Sequence, residues 1–184
     1  MDSADSGFAR LARRLDLVAI WSGRLVCWML LPMVLGLTYE VVARYVFNAP
    51  TIWAYDVTFM FYGCFFMLGG AFTLQRKGHV RTDSLYADWS PRTQAIVDLV
   101  CYVVIFLPVV YVFMVTGWGY FVKAYVTHET FVTSAWQPIT WPFKLAMPLS
   151  GALLLVQGAS ECLKCLHAVR ENHWPDWRVA AETH

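Results

Sequence analysis

Polar and apolar positions along the chain separate into long blocks rather than short alternations. Residues 25–39 carry no charge, and this run extends back to Leu17 if Arg24 stands near a helix end; residues 57–74, 99–122 and 145–160 are also uncharged. With their aromatic or amphipathic flanks, each run is long enough to cross a hydrocarbon layer of ~30 Å at ~1.5 Å per helical residue. Unbroken runs of this kind make the bilayer, rather than a private core, the solvent of the apolar residues. The pattern predicts an all-α membrane protein with four transmembrane helices. They cover about residues 17–45, 52–75, 93–123 and 139–166 within one membrane domain, 1–184.

Composition agrees with the pattern: 58% of residues are hydrophobic, 15% are charged, and mean hydropathy is +0.48. Fourteen basic against thirteen acidic residues leave a net charge of +1, which gives no basic field for nucleic acid. Arg10, Arg13 and Arg14 before an apolar run resemble the start of a signal peptide. The run is too long, however, and lacks a small-x-small cleavage site, so it reads as a retained signal anchor. The five cysteines do not form a disulfide framework. Cys27, Cys64 and Cys101 fall inside spans, and the Cys162-x-x-Cys165 pair offers too few ligands for zinc.

The connectors set orientation and register. Basic residues gather before the first span (Arg10, Arg13, Arg14, Arg24), between spans two and three (Arg76, Lys77, Arg81, Arg92) and after span four (Lys164, Arg170, Arg178). The opposite side has only Arg44, Lys123 and Lys144, so both termini are expected in the cytoplasm. Residues 47–50, FNAP, form a tight turn, because Asn48 suits turn geometry and Pro50 disfavours a helical Ala49; spans one and two therefore form an antiparallel hairpin. The loop 76–92 opens on a helix-ending Gly78 and closes on Ser90-Pro91, a helix start. Between them Val80, Leu85, Tyr86 and Trp89 suit a short amphipathic piece at the cytoplasmic interface. Residues 124–138 form an aromatic periplasmic loop, and Tyr125, Trp136, Trp141 and Lys144 make an outer-face belt at headgroup level. Near the N-terminus, Phe8, Leu11, Leu15 and Val18 share one face, the pattern of a surface helix that then enters the bilayer.

Glu40, Arg44 and Asp56 are the charges that matter chemically. Glu40 and Arg44 are four apart, with Glu first, the favourable order for a helical pair. Arg44 and Asp56 each stand six residues from Pro50, so a hairpin brings them to similar depth and Arg44 can bridge both carboxylates. They are either interfacial charges that reach water or an intramembrane cluster acting as an ion site, a hairpin lock or a docking point. Spans three and four lack charge in their centres, and no broken helix with a polar midplane offers a solute site. Pro32, Pro108 and Pro148 stand singly. Gly63, Gly69, Gly70, Gly151 and Gly158 permit close helix contact. The alternative is a membrane anchor of a haem- or quinone-linked redox complex. It is disfavoured because His79, His128, His167, His173 and His184 all fall outside the spans.

The stretch RYVFNAPTIWAYD, followed by a span and LQRKGHVRTDSLY, resembles the small membrane subunit of tripartite ATP-independent periplasmic (TRAP) transporters, of the DctQ type. Arg44, Tyr45, Phe47, Asn48 and Pro50 match its turn, Trp53 and Asp56 the start of span two, and Gly78, His79, Arg81 and Asp83 its cytoplasmic loop. Residues 141–161 resemble its last helix. Tyr55 stands where the family often has the first of two acids after the Trp. The resemblance implies a bacterial inner-membrane complex. In it a large permease carries an organic acid, driven by a sodium gradient, and a periplasmic binding protein delivers the solute. On that reading this chain is a non-enzymatic scaffold without cofactor or substrate site, and sodium coupling belongs to the permease. Glu40, Arg44, Tyr45, Asn48, Pro50, Trp53 and Asp56 are then structural or partner-contact residues.

Overall fold

The computed structural model describes residues 3–76, 89–132, 134–171 and 174. Its elements among the described residues are helices: α1 (Ser3–Cys27), α2 (Leu30–Tyr45), α3 (Ala54–Gln75), α4 (Pro91–Cys101), a π-helical turn (Tyr102–Phe106), α5 (Leu107–Val126) and α6 (Trp141–Glu171). Among the described residues, extended pairing is limited to one isolated antiparallel bridge, Thr130 with Ile139. Four stretches among the described residues are long and apolar enough to cross a membrane: Arg10–Tyr45, Ala54–Gln75, Pro91–Val126 and Trp141–Glu171.

Proline explains both interruptions. Pro32 has no N–H to give the Trp28 carbonyl, and its ring crowds that carbonyl. The chain tightens there, with Leu31 N donating to Trp28 O at 3.3 Å and Met29 N to Val26 O at 2.9 Å, and α1 ends before α2 begins. Ahead of Pro108 the chain widens instead, so that Leu107 N reaches Tyr102 O, five residues back. A π-turn is one of the ways a membrane helix accommodates proline.

The buried apolar positions are mostly small: Ala12, Ala19, Ala43, Ala54, Ala71, Ala95, Ala124, Ala146 and Ala168. Large side chains such as Leu35, Phe66 and Val104 point outward. That is the distribution expected where lipid takes the bulky groups and helices approach through small ones.

The chain forms two compact units. The first comprises the described parts of Met1–Trp21, Ala71–Val112 and Ala152–His184. Within it, Gly158 lets α6 meet Phe106 and Leu107, whose side-chain carbons lie 2.7 and 3.3 Å from where a Cβ would stand. Ser90 caps α4 by accepting from Thr93 N at 3.3 Å, with Pro91 at the first helical position. Trp174 Nε1 donates to Gln94 Oε1 at 3.3 Å. The second comprises Ser22–Gly70 and Phe113–Gly151. There α2 and α3 form an antiparallel hairpin, with Tyr39 stacked on Trp53 at 5.9 Å. A Cβ on Gly117 would stand 3.0 Å from Met147 Cβ and 3.1 Å from Pro148 N, and one on Gly151 would stand 3.0 Å from Met114 Cα. These two glycines bring the α5 and α6 backbones together. Gly63 accommodates Phe143, whereas Gly69 has nothing within 4 Å of its Cβ position.

On α1 the face of Leu11, Leu15 and Val18 is not the one that packs. Leu11 and Val18 are exposed, and the buried stripe is Ala12, Asp16, Ala19 and Val26. The side chain of Phe8 lies outside the described residues. The reason is the solvent: beside lipid the bulkier apolar face turns outward and the small residues turn in. His167, placed beyond the last span by the sequence, lies inside α6.

Candidate functional site

α2 delivers Glu40 and Arg44 one turn apart, and Arg44 Nε donates to Glu40 Oε1 at 2.9 Å. The other carboxylate oxygen, Oε2, accepts from Thr51 N at 3.0 Å and also from the Thr51 hydroxyl. The Glu40 side chain is 8% exposed and that of Arg44 52%. The buried carboxylate is thus satisfied on both oxygens, while the guanidinium reaches outward. Burial is tolerable because every ionic lone pair facing the protein has a donor.

The turn between the helices is built to present Thr51. Asn48 takes φ 52°, a left-handed conformation that Asn tolerates better than most residues. Ala49 N then reaches back to Ala43 O at 2.9 Å, closing the end of α2. Pro50 follows and Thr51 arrives over Glu40. Tyr45, by contrast, is 80% exposed.

Asp56 does not join this cluster. The sequence places it where Arg44 can bridge it, but in the structure it accepts from the Ser134 hydroxyl, and Ser134 Oγ in turn accepts from Trp136 N at 3.0 Å. Residues in a loop distant in sequence compete for a carboxylate that helical spacing alone assigns to a neighbour. Asp56 stands in the first turn of α3, where the helix dipole favours negative charge.

The loop after α5 is closed by several bonds. His128, at φ 48°, ends α5, with Glu129 N donating to Ala124 O at 3.1 Å, the long bond of a Schellman cap. Thr140 N returns to Glu129 O at 3.0 Å, and Lys144 Nζ pairs with Glu129 Oε2 at 2.7 Å. Trp141 packs edge-on to Tyr125 at 5.8 Å, and Phe59 meets both Phe131 and Phe143. Trp136 is exposed. Gly78, His79, Arg81 and Asp83 lie outside the described residues, as do Val80, Leu85 and Tyr86 of the amphipathic piece, while its Trp89 is described and exposed.

A second polar cluster, in the other unit, escapes the sequence reading. Lys164 Nζ on α6 lies 2.9 Å from Asp16 Oδ2 on α1 and 2.7 Å from Glu161 Oε1. Ser160 Oγ donates to Asp16 Oδ1 at 2.6 Å, and Gln157 Nε2 donates to Asp16 Oδ1 at 3.1 Å and to Glu161 Oε1 at 3.3 Å. All five are buried, Lys164 to 3% exposure. Lys164 therefore lies within the last helix and not in an exposed tail. The available signal was the spacing 157, 160, 161, 164, which is one helical face, and an acid set in α1's stripe of small residues. Thr51, Ser134 and Glu129 were also missed, because a hydroxyl or acid in a loop has no periodicity to mark it.

The chain matches the family model described as "Tripartite ATP-independent periplasmic transporters, DctQ component" over residues 33–168. The chain belongs to the DctQ family. The DctQ match spans most of α2, all of α3, α4 and α5 and most of α6, including the Glu40–Arg44 turn and Lys164, while α1 lies outside it. It makes the protein the small membrane component of a TRAP transporter, residing in the inner membrane with its four candidate spans. No curated protein gives a significant match.

Proposed function

We propose that this chain scaffolds the large permease of a TRAP transporter in sodium-gradient-driven uptake of an organic acid delivered by a periplasmic binding protein. The DctQ match supports membership in such an assembly. The observation that carries the scaffold role is the internally satisfied polar network of α2, α3 and the loop before α6. Glu40 is bonded to Arg44 and Thr51, Asp56 to Ser134, and Glu129 to Lys144. Charges bonded to one another in this way hold a surface in shape and leave little capacity for a moving solute. On this reading the chain carries no cofactor and catalyses no reaction, both termini face the cytoplasm, sodium coupling lies in the permease, and Gly78, His79, Arg81 and Asp83 fix the cytoplasmic loop. Tyr45, exposed beside the lock, and Arg44, whose guanidinium reaches outward, are the partner-contact side chains. Affinity purification from native membranes tests the proposal: a many-span permease should accompany the chain, and uptake should fail when the sodium gradient is collapsed. Purification without such a subunit, or with a haem Soret band, overturns it.

A further inference from the structure

We propose that the outward stripe of α1 binds anionic phospholipid, with the phosphate held by Arg13 and Arg14 and an acyl chain lying along Leu17 and Trp21. At ~100° per residue, Arg10, Arg14, Leu17, Trp21 and Arg24 fall within roughly 80° of arc, with Arg13 at its shoulder. All six are exposed, Trp21 to 61%. This stripe is opposite the one that packs, Ala12, Asp16, Ala19 and Val26. The acid of the same stretch, Asp16, is turned inward and bonded to Lys164, so it does not neutralise Arg13 or Arg14.

Length places these arginines among phosphates. Arg10–Tyr45 has 36 residues, a contour of ~54 Å, whereas a hydrocarbon core of ~30 Å admits only about 39 Å of helix even at a tilt of 40°. The stretch is therefore ~15 Å, about ten residues, longer than the hydrocarbon, and its charged ends, Arg10–Arg14 and Glu40–Arg44, are the parts that leave it for headgroup level, where ions are least costly. Trp21 follows Arg14 by seven residues, ~10 Å along the axis, within the length of an acyl chain. Arg13 and Arg14 at the headgroup end, with Leu17 and Trp21 beyond them before Arg24 closes the stripe, complement a lipid that has one anionic end and one apolar end, rather than a free anion. The stripe lies outside the residues matched to the DctQ family, so the inference does not depend on the permease.

The full-length chain, co-purified with its co-expressed transporter subunits and delipidated in mild detergent, is titrated with phosphatidylglycerol or phosphatidylcholine, and bound lipid is read by native mass spectrometry. Phosphatidylglycerol should bind at least about tenfold more tightly. R13Q/R14Q should weaken it roughly 30-fold, while R13K/R14K and the control R92Q, elsewhere in the same unit, retain it. A photo-crosslinker at position 21 should capture lipid. Equal binding of the two lipids, unchanged binding by R13Q/R14Q, or capture of a protein subunit at position 21 overturns the proposal.

Discussion

Glu40 shows how one carboxylate fixes a turn. Two of its four hydrogen bonds, from Thr51 N and the Thr51 hydroxyl, join α2 to the residue just beyond Pro50, and the other two come from Arg44 on α2 itself. Glu40→Ala is expected to lower stability by about 1–3 kcal/mol, because Thr51 N and the Thr51 hydroxyl lose their acceptor. Thr51→Val should cost about 1 kcal/mol, and Arg44→Ala should reduce complex yield or uptake. Thermal unfolding in nanodiscs and quantified co-purification measure all three. The buried cluster behaves differently. Lys164→Met leaves Asp16 and Glu161 facing each other without a cation and should cost about 3–5 kcal/mol. Asp16→Asn/Lys164→Met should then cost less than Lys164→Met alone, and a double-mutant cycle that is additive would show that the pair is not coupled. The i,i+4 pairing of Glu40 and Arg44 was legible from spacing. The partner of Asp56 was not, since Ser134 is 78 residues away.

At the scale of elements, contact is set by where a Cβ is missing. Gly151→Ala would bring a Cβ within 2.8 Å of Met114 Cβ and 3.0 Å of its Cα, so α5 must shift, at about 1–3 kcal/mol. Gly69→Ala meets nothing within 4 Å and should be neutral or stabilising by up to about 1 kcal/mol through helix propensity. Thermal midpoints of the two variants, compared side by side, check this. The apolar runs made the four spans legible, but not which of the single prolines would interrupt a helix: Pro32 and Pro108 do, and Pro148 lies inside α6. The outcome at each proline was not legible either, because the same residue type tightens one segment and widens the other. Nor was the inward face of α1 legible. Periodicity finds a helix's bulky apolar face, but lipid accepts that face and leaves the small one for packing.

For the whole molecule, a periplasm-active reporter inserted after Asn48 should be active, and one fused after His184 should report the cytoplasm; the reverse result would refute the proposed topology. Chain composition and the length of the uncharged runs were enough to determine a four-span membrane protein, and the Arg44–Pro50 turn with the Gly78–Asp83 loop was enough to suggest the DctQ family that the match then established. Those properties are local: hydrophobicity acts residue by residue against a uniform solvent, and turn residues act through their own dihedral angles. Only the tertiary structure decided that Asp56 belongs to Ser134, that Lys164 is buried between Asp16 and Glu161, and that α1 turns its arginines outward. Each depends on groups brought together from distant parts of the chain. A buried charge takes whichever partner the packed backbones place within reach, and sequence spacing records only partners on the same helix.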